Sequence, residues 1–347
     1  MKKIKLIKPD DMHLHLRDAI YLKQTVPDAA KRFARAIIMP NLKPPVTSLS
    51  AVMAYKQRIL AEVPEGTYFE PLMTLYLTEE MTPEIIREGR ASGLVSAAKL
   101  YPAGVTTNAE SGVKSIERMM PIFREMEACG LLLLVHGETS DPTIDIFDRE
   151  KIFLEELSKL VAACPNLRIV LEHITTRDAV DFVISHPKNM AATITVHHLL
   201  LNRNDLLSGG VKPHYYCLPI LKRQVHQQAL ITAAISGDPR FFLGTDSAPH
   251  AISQKECASG CAGIYSAHAA IELYAQVFEA HNALDKLENF ASRYGAAFYG
   301  LPENKEIITL VKRPWRVPKH MIFGEASLVP LYADQEIGWS LATDLEE

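Results

Sequence analysis

Eight short, almost unbroken apolar runs recur along the chain, separated by longer amphipathic or polar segments. They are Ile4 to Leu16, Ala34 to Met39, Tyr68 to Leu77, Leu94 to Leu100, Leu131 to Val135, Leu167 to Leu171, Met190 to Leu201 and Phe241 to Leu243. A run without alternation suits a parallel strand buried on both faces. Parallel neighbours need crossover segments between them, and helical patterns lie in those positions. Ser48 to Val63 sets Val52, Tyr55, Ile59 and Leu60 on one helical stripe. Thr82 and Pro83 read as an N-cap and first helical residue. Ser111 to Cys129 reads as a helix ended by Gly130. Arg149 to Ala163, Thr176 to Ser185 and Gln224 to Ser236 complete the series. Strand–helix alternation repeated eight times predicts an α/β fold, a (β/α)8 TIM barrel.

Such a barrel takes roughly 250 residues, and this chain has 347. The surplus predicts two additional C-terminal helices, about Tyr265 to His281 and Leu284 to Tyr299, then an irregular Pro-rich tail around Arg313 to Pro318. No repeat or linker is visible. Residues 1–347 are therefore expected to form one domain, with the C-terminal helices and tail from about residue 265.

A net charge of -4 gives no reason to expect a nucleic acid or an anionic membrane as partner. No apolar stretch reaches the length of a membrane span. The start, Met1-Lys2-Lys3-Ile4, leads straight into a strand with Lys5, Lys8 and Asp10, unlike a signal peptide. The five cysteines, Cys129, Cys164, Cys217, Cys257 and Cys261, are odd in number and scattered. That argues against a disulfide framework and for reduced thiols in the cytoplasm.

Chemistry in a barrel collects at the C-terminal strand ends. His13 and His15, two apart, would face one space, as two ligands of one metal would. Arg17, two further on, offers a fork of donors suited to a carboxylate. The second run ends at Asn41, the fourth carries Lys99, and the fifth ends in His136-Gly137-Glu138. The sixth ends in Glu172-His173, the seventh in His197-His198, and the eighth in Gly244 to His250 with Asp246 inside it. Singly, each has a plain structural explanation. Jointly, four histidines, a lysine in an apolar run and an aspartate converge on one place.

Imidazoles and a carboxylate suit zinc. Four histidines and Asp246 exceed what one four-coordinate zinc with an open position needs, and two zincs need a bridge. A protonated lysine has no lone pair to offer. Lys99 carboxylated on its amine (N6-carboxylysine) would present a carboxylate on a long arm.

These residues resemble the dihydroorotases of the amidohydrolase superfamily, and more narrowly the shorter, single-domain bacterial type. The resemblance spans essentially the whole chain. It is carried by Asp11-Met12-His13-Leu14-His15-Leu16-Arg17-Asp18, Met39-Pro40-Asn41-Leu42, Ala98-Lys99-Leu100-Tyr101-Pro102, Val135-His136-Gly137-Glu138, Leu171-Glu172-His173-Ile174 and Gly244-Thr245-Asp246-Ser247-Ala248-Pro249-His250. It implies two zinc ions per subunit. His13, His15 and Asp246 would hold the more buried ion, His136 and His173 the more exposed one, and carboxylated Lys99 would bridge them beside a hydroxide. Arg17, Asn41 and His250 would bind the substrate carboxylate, and backbone groups of Leu218 and Ala262 the ring amide edge. Thr106 and Thr107, in a mobile loop after the fourth strand, would touch substrate on closure. His197 and His198 are left structural.

The implied reaction is the reversible interconversion of N-carbamoyl-L-aspartate and L-dihydroorotate in pyrimidine biosynthesis. In the hydrolytic direction the bridging hydroxide attacks the ring amide carbonyl, with Asp246 as general base and then general acid. A homodimer is also implied. Other readings stay open at this point. A hydantoinase, dihydropyrimidinase or allantoinase would keep the metals but not need Arg17 and Asn41 for a ring carboxylate. A metal-dependent phosphotriesterase or lactonase, a non-catalytic scaffold and a metal-free barrel complete the alternatives.

Overall fold

The computed structural model describes residues 2–186 and 189–342. Eight parallel strands, each hydrogen-bonded to the next in chain order, form the barrel. They are β1 (Asp10–Leu14), β2 (Arg35–Ile38), β3 (Glu70–Tyr76), β4 (Val95–Leu100), β5 (Leu132–His136), β6 (Ile169–Glu172), β7 (Met190–Ile194) and β8 (Phe241–Leu243). First and last strands meet through two backbone bonds, Asp246 N–H to the His13 carbonyl at 2.9 Å and His15 N–H to the Ser247 carbonyl at 3.2 Å. Helices surround the strands, giving the (β/α)8 TIM-barrel fold.

The barrel interior is layered. Ile37, Leu72, Ala97, Leu134, Val170 and Phe242 belong to an apolar cluster inside it. Side chains two residues apart share a strand face. One step further along β4, β5 and β6 therefore stand Lys99, His136 and Glu172, so a polar layer rests on an apolar floor. Phe298, Tyr299 and Leu301 of the C-terminal region pack beneath that floor. Gly295 lets this segment approach closely: a Cβ there would meet Met12 at 2.8 Å.

Several boundaries differ from the sequence expectation. The run Ile4 to Leu16 divides at Pro9, which has no N–H to offer a ladder. Lys3–Ile7 pairs instead with Ile307–Val311, in a small antiparallel sheet outside the barrel. The run Met190 to Leu201 likewise ends as a strand at Ile194, and His197 and His198 lie on a short helix, Val196–Leu200, capped by Thr195. The helix expected from Ser111 begins only at Met120. A helix not foreseen, Leu22–Arg32, contains Pro27, which reads as a breaker. Arg313 to Pro318 is irregular apart from the two-residue strand Trp315–Arg316, but on either side of it Ile307–Val311, Met321–Phe323 and Ala326–Leu328 form strands not foreseen. Thr82 and Pro83 do open the helix Pro83–Ala91.

All five cysteines are free. Among the described residues, no helix is long and apolar enough to cross a membrane.

Candidate active site and metal centre

His13 and Asp246 are placed by a shared clamp. The Asp11 carboxylate accepts from His13 N–H at 3.1 Å, from Thr245 N–H at 2.8 Å and from the Thr245 hydroxyl at 2.6 Å. This fixes the end of β1 against the end of β8. Asp246 then turns inward on a left-handed backbone, φ 45°, a conformation that costs a non-glycine residue energy and recurs at functional sites. His173 (φ 43°) and Arg17 (φ 61°) share that strain.

The result is a close knot of lone-pair donors. His13 Nε2 and His15 Nε2 lie 3.2 Å apart, and Asp246 Oδ1 stands 3.3 Å from the first and 3.1 Å from the second. All three residues are buried. The His136 and His173 rings follow, centroids 4.7 Å apart, with His173 4.9 Å from His13. His173 Nδ1 is buried without a hydrogen-bond partner.

Lys99 is fully buried, and its ammonium is ion-paired with Glu172 Oε2. The other Glu172 oxygen lies 3.0 Å from His13 Nδ1. In the sequence Glu172 marks only a strand end. Glu138, 2.8 Å from His136 Nε2, and Asp11 also went unassigned. Carboxylates have no sequence signal when their role is defined by a partner on another strand.

Three of these groups, His15, His173 and Asp246, have pKa shifts in the direction that suits metal binding. Burial, outweighing Asp246, takes His15 down to about 4. Burial, with His136 beside it, takes His173 well below the imidazole range. Burial would raise Asp246, but His13 and its neighbours hold it well below the usual carboxylate range. Neutral imidazoles and an ionised carboxylate are the forms that ligate cations. His13 differs: burial pulls it down, but Glu172 and Asp246 carry it up to about 9. Burial also lowers Lys99, despite Glu172.

A narrow cavity opens above this layer. His15, His136, His173 and Asp246 line its floor. Arg17, Asn41, Thr106, Thr107, Leu218 and Ala262 line it as well, together with Tyr101, which the sequence reading did not assign. His250 stands just outside it, with Nε2 2.8 Å from Arg17 Nη2 and 2.9 Å from the Ala262 carbonyl. The loop after β4 lies over the opening. Asn41 Nδ2 donates to the Thr107 carbonyl at 3.1 Å, Asn108 Nδ2 to the Asn41 carbonyl at 2.9 Å, and the Thr107 hydroxyl to the Ala262 carbonyl at 3.4 Å. His197 and His198 form a separate buried group with Cys217. His198 is held there by the Thr195 hydroxyl at 2.6 Å and the Pro219 carbonyl at 3.0 Å.

A barrel with histidines and an aspartate gathered at its C-terminal strand ends is the build of an amidohydrolase, and residues 4–319 match the Amidohydrolase family. The chain is 61% identical over 335 residues to a dihydroorotase of Teredinibacter turnerae, covering 96% of this chain and 97% of that one. It is 56% identical over 340 residues to a dihydroorotase of Nitrosococcus oceani, covering 98% and 99%. A crystal structure of dihydroorotase from Saccharomyces cerevisiae in complex with 5-fluoroorotic acid superposes with TM-score 0.91 at 35% identity, over 99% of both chains. The chain therefore belongs to the amidohydrolase family and, within it, to the dihydroorotases, which are cyclic amide hydrolases.

Proposed function

We propose that this chain is a zinc-dependent enzyme that interconverts N-carbamoyl-L-aspartate and L-dihydroorotate, the ring-closing step of pyrimidine biosynthesis. One observation carries the reading: Arg17 and Asn41 line the same cavity as His15, His136, His173 and Asp246. A carboxylate-binding fork thus faces the chemistry directly, which a hydantoinase-type ring without a carboxylate would not require.

In this reading His13, His15 and Asp246 would hold one zinc, His136 and His173 would hold a second, and Lys99, N-carboxylated, would be a ligand to both. When bound, two such ions lower the pKa of water and polarise a carbonyl. The protein's own residues do the rest. Asp246, held ionised, takes the proton of the attacking water and returns it to the departing ring nitrogen. Arg17, Asn41 and His250 hold the substrate carboxylate, so the scissile amide meets the site in a fixed orientation. Backbone groups of Leu218 and Ala262 contact the ring amide edge. Thr106 and Thr107 cover the substrate and exclude water. We further propose one domain over residues 1–347, a homodimer, and a cytoplasmic location, the last supported by five free cysteines.

Steady-state assays of the purified chain test this, with dihydroorotate, dihydrouracil, hydantoin and simple esters offered in parallel. The account expects turnover of dihydroorotate and of carbamoyl aspartate in the reverse direction, and little of the others. Preference for a ring without a carboxylate would overturn it.

A further inference from the structure

Lys255 ends a short helix, Ile252–Lys255, that follows His250 in the chain. It is 4% exposed. Its ammonium donates to three carbonyls: Tyr216 at 2.8 Å, Cys261 at 2.8 Å and Gly263 at 2.7 Å. An ammonium has three protons, and all three are used. The acceptors belong to two separate segments, one ahead of Leu218 and one on either side of Ala262. Gly263 N–H also donates to the Tyr216 carbonyl at 3.0 Å, so lysine and backbone tie the same two segments together.

The clamped segments are those that form one wall of the cavity: Leu218, Ala262 and Gly263 all line it. The Ala262 carbonyl is also where His250 and Thr107 meet, at 2.9 and 3.4 Å. Gly263 is pressed so closely onto Ala248 and His250 that a Cβ would stand 2.5 Å from the Ala248 carbonyl and 2.9 Å from His250 Cδ2. A displacement of residues 261–263 would thus move three groups facing the substrate: a backbone edge, the imidazole beside Arg17, and the seat of the covering loop. Burying a cation among neutral carbonyls is costly. The cation also stands on the Arg17 side of the cavity, where positive potential favours an anionic ligand, and burial, Arg17 and Lys255 together hold His250 neutral, down to about 2.

We propose that Lys255 is a positioning residue for substrate: it sets the backbone at Leu218 and Ala262 for the ring amide edge and, through Ala262, aligns His250 for the carboxylate. The inference rests on the dihydroorotase reading. It assigns no contact between Lys255 and the reacting atoms.

The test compares zinc-loaded wild type, Lys255→Met and Lys255→Gln in dihydroorotate hydrolysis, with zinc content measured on each. Losing charge-assisted hydrogen bonds to the wall should raise KM about tenfold or more in Lys255→Met, with kcat affected less. Lys255→Gln, which keeps two N–H donors, should fall between. Zinc content should match wild type in both. A wild-type KM in the variants overturns the proposal, and so does loss of zinc together with activity. Failure of both variants to fold overturns it too, since Lys255 would then hold the fold rather than the site. Absence of wild-type turnover on dihydroorotate is a different outcome, and sinks the functional reading itself.

Discussion

Lys99 and Glu172 are ion-paired inside the barrel, a lysine of β4 against a carboxylate at the end of β6, both buried. Glu172 also reaches His13 Nδ1 at 3.0 Å, so the lysine and the first histidine are joined through one carboxylate. A lysine ammonium is not what two cations could share. Burial, however, lowers its pKa, and the neutral amine is the form that adds carbon dioxide. A carbamate formed there would be an anion on the same arm.

Replacing Lys99 by alanine should therefore lose metal as well as activity. Small carboxylic acids should restore part of the bound zinc by occupying the vacated space. Atomic absorption with and without added propionate checks this; a fully metallated, active Lys99→Ala chain would contradict it.

Asp246→Asn should leave the fold intact and nearly abolish turnover. Removal of a general base costs roughly 10²–10⁴-fold, and altered ligation adds to that. The kinetics are to be read beside metal content. Wild-type turnover with both metals bound would remove Asp246 from proton transfer.

Arg17→Met should weaken substrate binding while sparing the metals. Its guanidinium lines the cavity, and a charge-assisted contact to a carboxylate is worth about 1.5–3 kcal/mol. KM for both carbamoyl aspartate and dihydroorotate should rise accordingly. Unchanged values for both would detach Arg17 from substrate.

His268 supplies a pH test away from the site. It is buried, and burial with nearby Arg32 lowers its pKa from 6.5 to about 3. As pH falls from about 6 to about 4, the unfolded imidazole takes up a proton and the folded one does not. Stability therefore declines on acidification, by about 1.4 kcal/mol per pH unit for one such group. His268→Gln should flatten the slope by about that amount in urea unfolding across this range. Parallel slopes for the two chains would show that His268 titrates normally.

The barrel was legible because its strands are buried on both faces, which leaves unbroken apolar runs such as Leu131 to Val135. The gathering of His13, His15, Lys99, His136, His173 and Asp246 was legible through one geometric rule, that strand ends of a barrel share a face. What stayed hidden depends on distant partners. Ile307–Val311 becomes a strand between Lys3–Ile7, nearly the whole chain away, and Ser340–Leu341. Leu22–Arg32 carries Pro27, so local propensity pointed the other way. Glu172 and Lys255 are ordinary charged residues until their partners are seen, one on another strand and the other in two loops.

The central claim is a two-zinc centre that makes this chain active on dihydroorotate. It is tested most directly by measuring zinc per chain and dihydroorotate hydrolysis on one preparation, before chelation, after it, and after zinc is returned with bicarbonate. The account predicts two zinc ions per chain at full activity, loss of both zinc and turnover on chelation, and recovery of both together. Undiminished turnover in a chain stripped of metal would contradict it.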